Sequence, residues 1–125
     1  MARTPYTLEA YQAAAKALAD KGGDVPFVCV RCGTVQSMRS FVHLGTSADA
    51  AERAAGFSCV GRYAAGVGCD WTCGGLLGDL GRGAEVTTPD GAKHARFPFG
   101  TREEADRLRA AGGAPFVRDG FKEGA

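Results

Sequence analysis

The sequence predicts a small α+β domain, a β-hairpin core with flanking helices. Two patterns point to it. Short apolar or alternating runs, VPFVCV at 25–30 and EVTT with KHARF around Pro89-Asp90-Gly91, are bounded by turn residues and read as hairpin strands. Between and around them, stretches with apolar residues at spacings of three and four carry helix start and stop signals. A third observation sets the scale. The chain has 125 residues, about one domain, but 19 of them are glycine and alanine supplies much of its 45% apolar fraction. Glycine adds backbone entropy and no packing, so such a fold gains much from a cross-link.

Taken in order, residues 7–21 read as a helix. Thr7 is its cap, Leu8, Tyr11, Ala15 and Leu18 form one apolar face, and Gly22-Gly23 end it. VPFVCV then runs into a turn at Cys29–Cys32, and TVQSM returns antiparallel, which places two thiols at a hairpin tip. SFVHLG is either one helical turn or irregular. ADAAERAA at 48–55 reads as a helix with Ser47 as cap and Gly56 as stop. FSCV at 57–60 reads as a short strand. Residues 61–83 are glycine-rich, with turns and a brief strand expected near Trp71. Residues 85–97 form a hairpin. A last helix starts at Thr101, with Glu104 completing a capping box, Glu103 four residues before Arg107, and Gly112-Gly113 closing it. Residues 1–113 thus make a single domain. The segment 114–125, APFVRDGFKEGA, is a C-terminal tail in which Phe116 and Phe121 either dock on the body or stay disordered.

Fifteen basic residues against fourteen acidic ones give a net charge of +1, which excludes a strong global footprint for nucleic acid but leaves room for a local patch. The N-terminus lacks the apolar core of a signal peptide, and no window approaches the length of a membrane span. The expectation is a cytoplasmic protein whose thiols stay reduced. Five cysteines, an odd number, also fit a disulfide framework badly.

Cys29-Val-Arg-Cys32-Gly33 has the features of half a metal site. The two side chains converge, turn N–H groups can bond the thiolates, and glycine tolerates the reversal. A thioredoxin-like redox pair would instead open a helix, whereas TVQS favours a strand. The expected metal is zinc, in a zinc-ribbon-like or treble-clef-like hairpin core. Local spacing nominates Cys69 and Cys73 as the other two ligands. The competing pair is Cys59 and Cys69, across the loop VGRYAAGVG. His43 and His94 are outside candidates.

The segments CGTVQS, GFSCVGR, GCDWT followed by GGL, and VTTPDGAKHARF resemble, in order over residues 26–99, a family of small, largely uncharacterised phage and prophage proteins. That resemblance implies the ligand set Cys29, Cys32, Cys59 and Cys69. Cys73 stands where the family pattern has leucine, which implies a fifth thiol outside the site.

Four thiolates leave a zinc ion no open position, so an enzyme is not expected. Asp70 and Asp79 form no cluster with the spacing of a known mechanism. His94, Lys93 and Arg96 read as solvated hairpin positions. GGLLGDLGRG lacks the lysine and serine of a phosphate loop and reads as turns. Trp71 reads as core packed against the metal turn. Two binding functions follow as expectations. The phage resemblance implies a module that binds a host protein, including a defence protein such as a CRISPR effector. The alternative is a nucleic-acid-binding zinc module that uses Arg31, Arg39, Arg53 and Arg62 around the site. No small-molecule substrate is expected.

Overall fold

Thr7 closes one element and opens the next in the computed structural model, which describes residues 3–121. Strand β1 (Thr4–Thr7) runs directly into helix α1 (Leu8–Leu18), and the Thr7 hydroxyl accepts from the Ala10 N–H at 3.1 Å. The helix stops earlier than Gly22-Gly23. Ala19 is already extended and turns inward to pack on Val25 and Ala105, so tertiary burial ends α1 before the glycines do. The glycines instead begin a 3-10 turn, Gly22–Asp24, that buries Asp24 beside the Arg39 guanidinium at 2.8 Å.

Strands β2 (Phe27–Val28) and β3 (Thr34–Gln36) form the expected antiparallel hairpin, Val28 facing Val35 across it. The ambiguous segment after it is helical. α2 (Met38–His43) opens with the Ser37 N–H donating to the Ser40 hydroxyl at 2.9 Å, and it buries Phe41 completely. α3 (Ala48–Ala54) follows, capped by Ser47 and buried through Ala51 and Ala54. Residues 57–60 are not a regular strand. Only a single bridge joins Ser58 to Thr72, flanked by Cys59 N–H to the Trp71 carbonyl and Cys73 N–H to the Phe57 carbonyl. A 3-10 turn, Val60–Arg62, breaks off the ladder immediately.

β4 (Ala84–Thr87) and β5 (Lys93–Arg96) make the second hairpin, and β1 adds to it in parallel, giving a sheet of order β1-β4-β5. No local pattern announces β1, whose partner lies 80 residues away. α4 (Arg102–Ala110) carries the Thr101–Glu104 capping box, with bonds of 2.9 and 3.1 Å. Beyond it, β6 (Phe116–Val117) pairs with β3 and completes a sheet of order β2-β3-β6. The segment read as a tail therefore supplies a strand, and Arg118 fixes it by two bonds to Glu104 at 2.6 and 2.9 Å.

Among the described residues the result is a mixed α+β fold of four α-helices and two small sheets. Phe27 joins its parts. It touches the apolar groups around the thiols, those under α3, and those between Ala19 and Ala105. Its ring also lies 5.6 Å from that of Phe99, which stacks on Tyr11 at 4.9 Å and so draws α1 onto the body. Among the described residues no helix is long and apolar enough to cross a membrane.

Candidate metal centre

The hairpin turn builds the first half of the site. Cys29 N–H donates to the Thr34 carbonyl at 2.9 Å, and Gly33 N–H to the Cys29 carbonyl at 3.0 Å, closing a tight reversal. Gly33 has φ +75°, and a Cβ there would lie 2.3 Å from the Phe121 ring. Glycine is thus required twice, by the backbone and by the aromatic cover. Cys29 is fully buried and Cys32 half-buried.

The second half comes from the loop after α3. Cys59 enters the 3-10 turn at Val60–Arg62, and the chain returns so that the Cys69 N–H points at the Cys59 sulfur, 3.3 Å away. The returning chain runs so close that a Cβ on Gly61 would stand 2.3 Å from the Cys69 carbonyl oxygen. Gln36 locks the two halves in register. Its buried amide donates to the Ala55 and Ser58 carbonyls and accepts from Val60 N–H, each at 2.8 Å. One side chain on β3 thereby satisfies the backbone on both sides of Cys59, where no sheet ladder does so.

The four sulfurs of Cys29, Cys32, Cys59 and Cys69 lie within 4.8 Å of one another. Cys29 and Cys69 are separated by 3.7 Å, and Cys32 and Cys59 by 3.8 Å. Sulfurs about 2.3 Å from a central ion in a tetrahedron stand about 3.8 Å apart, so these two separations match those of a four-thiolate site. The donor set can hold a metal ion. Without one, the crowding polarises the thiols. Hydrogen bonds from Cys29, Cys59 and Thr34 push the Cys32 thiol down, and the same contact with Cys32 pushes Cys29 up. Val30, Phe97 and Cys73 are buried around the site, with Trp71 and Leu80 packed against them.

Cys73 lies outside this cluster. Its thiol is buried, and burial followed by the nearby Asp79 charge pushes it up to about 12. Neither histidine joins the cluster. His43 ends α2 at an exposed position, and His94 sits on β5 with Nε2 3.4 Å from the Thr88 hydroxyl. Asp79 is buried against Arg3, which donates to it at 2.6 and 2.8 Å. The Trp71 indole packs against the thiol side as expected and donates to the Gly78 carbonyl at 2.9 Å. Of the four arginines considered for nucleic acid, Arg39 is held by Asp24, and Arg62 donates to the Asp70 carbonyl at 2.7 Å.

Sequence reasoning missed Gln36 and Thr34. Both belong to TVQ, where alternation assigns one face to solvent, yet all three residues are buried: Leu108 of α4 packs on Val35, and Gln36 on the other face bonds the Ala55 and Ser58 carbonyls. The signal the sequence did carry was their place directly after the Cys-x-x-Cys-Gly turn.

A family profile described as VVA0879-like matches residues 7–100. No curated protein and no solved structure matches the chain.

Proposed function

The chain belongs to the VVA0879-like family, and from that premise and its four convergent thiols we propose that it is a zinc-stabilised module acting by binding a host protein. Zinc is the favoured ion because four thiolates in a near-tetrahedral set suit a borderline-soft d10 cation. Such a shell is closed, so the ion cross-links the chain and activates no water; the protein is not an enzyme on this reading. The motif resemblance supports a phage origin and action in the host cytoplasm. It also supports inhibition of a defence system such as a CRISPR effector.

The observation that carries protein binding is the loop between Cys73 and β4. Leu76 is 102% exposed and Leu77 63%. Their backbone is nonetheless fixed, by turn bonds Gly78 N–H to Gly75 carbonyl and Leu80 N–H to Leu77 carbonyl, by the Trp71 indole, and by the pairing of buried Asp79 with Arg3. Two leucines on a pinned loop are pre-organised anchors. Burying each contributes about 1.5–3 kcal/mol without much ordering cost. The nucleic-acid alternative draws less support, since Arg39 and Arg62 are already engaged.

The test is affinity capture from host lysate treated with nuclease, using the wild type beside a Leu76→Ser, Leu77→Ser double variant. A stoichiometric protein partner that survives nuclease and is lost with the double variant, while zinc content stays at one per chain, supports the proposal. Partners released by nuclease would move the assignment to nucleic acid.

A further inference from the structure

We propose that Thr34 is a positioning residue of the metal centre, its hydroxyl holding Cys32 in place and damping the reactivity of that one thiolate. The inference rests on the metal-centre reading above and adds to it a residue that is not a ligand. Thr34 Oγ1 lies 3.0 Å from the Cys32 sulfur. The residue is only 2% exposed, and Cys32 is the sole hydrogen-bond partner of its hydroxyl among the described residues. Its backbone is held on both sides, by Cys29 N–H on its carbonyl and by the register with Val117 on β6. The hydroxyl is therefore aimed and has little freedom to turn away.

Direction of donation follows from the chemistry. A metal-bound cysteine carries no proton, so only the hydroxyl can donate, and the bond is charge-assisted. Cys32 needs this more than Cys29 or Cys59, which are fully buried; Cys59 in addition accepts the Cys69 N–H. A half-exposed thiolate without a donor is the point where electrophiles and competing chelators enter. Threonine at position 34 places a donor there while its methyl group keeps the strand packed.

The experiment compares zinc-loaded wild type with Thr34→Val, which keeps the shape and removes the hydroxyl, and Thr34→Ser, which restores it. Zinc transfer to a chromogenic chelator is timed, and alkylation by iodoacetamide is mapped to each cysteine by peptide mass spectrometry. The thiolate-to-metal band of the cobalt form is recorded alongside. Thr34→Val should release zinc about tenfold faster, with faster alkylation confined to Cys32 and a shifted cobalt band, and Thr34→Ser should sit near the wild type. Should Thr34→Val not fold, Thr34→Ala carries the same comparison at matched helical signal. Unchanged release and alkylation, or acceleration spread evenly over all the thiols, overturns the inference alone, because that is what a purely structural role gives. A wild type that holds no metal overturns the metal-centre reading and this inference with it.

Discussion

At the scale of the residue, the site separates five chemically identical thiols by placement alone. Cys59 and Cys73 are both buried, yet only Cys59 brings its sulfur to within 3.8 Å of Cys32. Native mass spectrometry should therefore find one zinc on wild type and on Cys73→Ala, and none stably retained on Cys59→Ser. Gln36 is the second residue whose role is local. Its replacement by methionine keeps the volume but strands two carbonyls and one N–H in the interior, each costing about 1–3 kcal/mol. A loss of about 3 kcal/mol or more in urea unfolding is expected, and a change under 1 kcal/mol would show that water takes over those bonds. Gly61 is constrained by space. Alanine there cannot coexist with the Cys69 backbone, so Gly61→Ala should lower zinc affinity even though its φ is ordinary for any residue.

At the scale of the element, most starts and stops were legible. Thr7, Ser47 and Thr101 each cap the helix that their side-chain chemistry announced, because capping is decided within four residues. The Pro89-Asp90-Gly91 turn was legible for the same reason, with Gly91 at φ +86° and the Asp90 carboxylate accepting from Ala92 N–H. Strands were less legible. β1 and β6 owe their existence to partners far along the chain, and FSCV is apolar enough for a strand but is diverted by the turn that presents Cys59. Removing residues 114–125 deletes β6 and the Arg118–Glu104 pair, and it uncovers Val35 and Leu108. The truncated protein should lose hydrogen-exchange protection at β3 first, and with it the grip of Thr34 on Cys32. Protection unchanged at Thr34 and Val35 would return the segment to the status of a tail.

At the scale of the whole molecule, the ion pairs make stability depend on pH, and an ion held by the four thiols would make it depend on metal. Burial alone would raise the Asp79 carboxyl, but the bonds from Arg3 and from Gly81 N–H outweigh it and hold it below the usual range. Arg118 does the same for Glu104. A carboxylate whose folded value is depressed stabilises the fold above its unfolded pKa, about 4, and that contribution is lost as pH falls through the lower folded value. Acid should therefore weaken the protein from about pH 4 downward. Asp79→Asn should remove part of that dependence and cost about 1–3 kcal/mol at neutral pH, less than a fully buried pair because Arg3 stays 39% exposed. Protonation of the thiolates would also expel a bound ion on acidification, so the chelator experiment is done at constant neutral pH. Excess chelator at pH 7 should unfold the segment between β2 and β4, read as lost near-ultraviolet signal from Trp71, and added zinc should restore it.

Local sequence patterns carried the fold class, the helices capped by Thr7, Ser47 and Thr101, the two hairpins and the Cys-x-x-Cys-Gly turn, while α2 stayed ambiguous. These are set by contacts between near neighbours, and a local pattern records them. On the other ligands, spacing within the sequence leaned toward Cys73. The tertiary structure decided that Cys59 rather than Cys73 meets the hairpin, since that depends on Gln36 seizing the backbone on both sides of Cys59 and on Gly61 letting Cys69 fold back over it. It also decided that Thr34 faces sulfur and that Leu76 faces water. Such choices are made by surfaces that meet only after the chain has folded, and no spacing within the sequence encodes which buried thiol ends beside which.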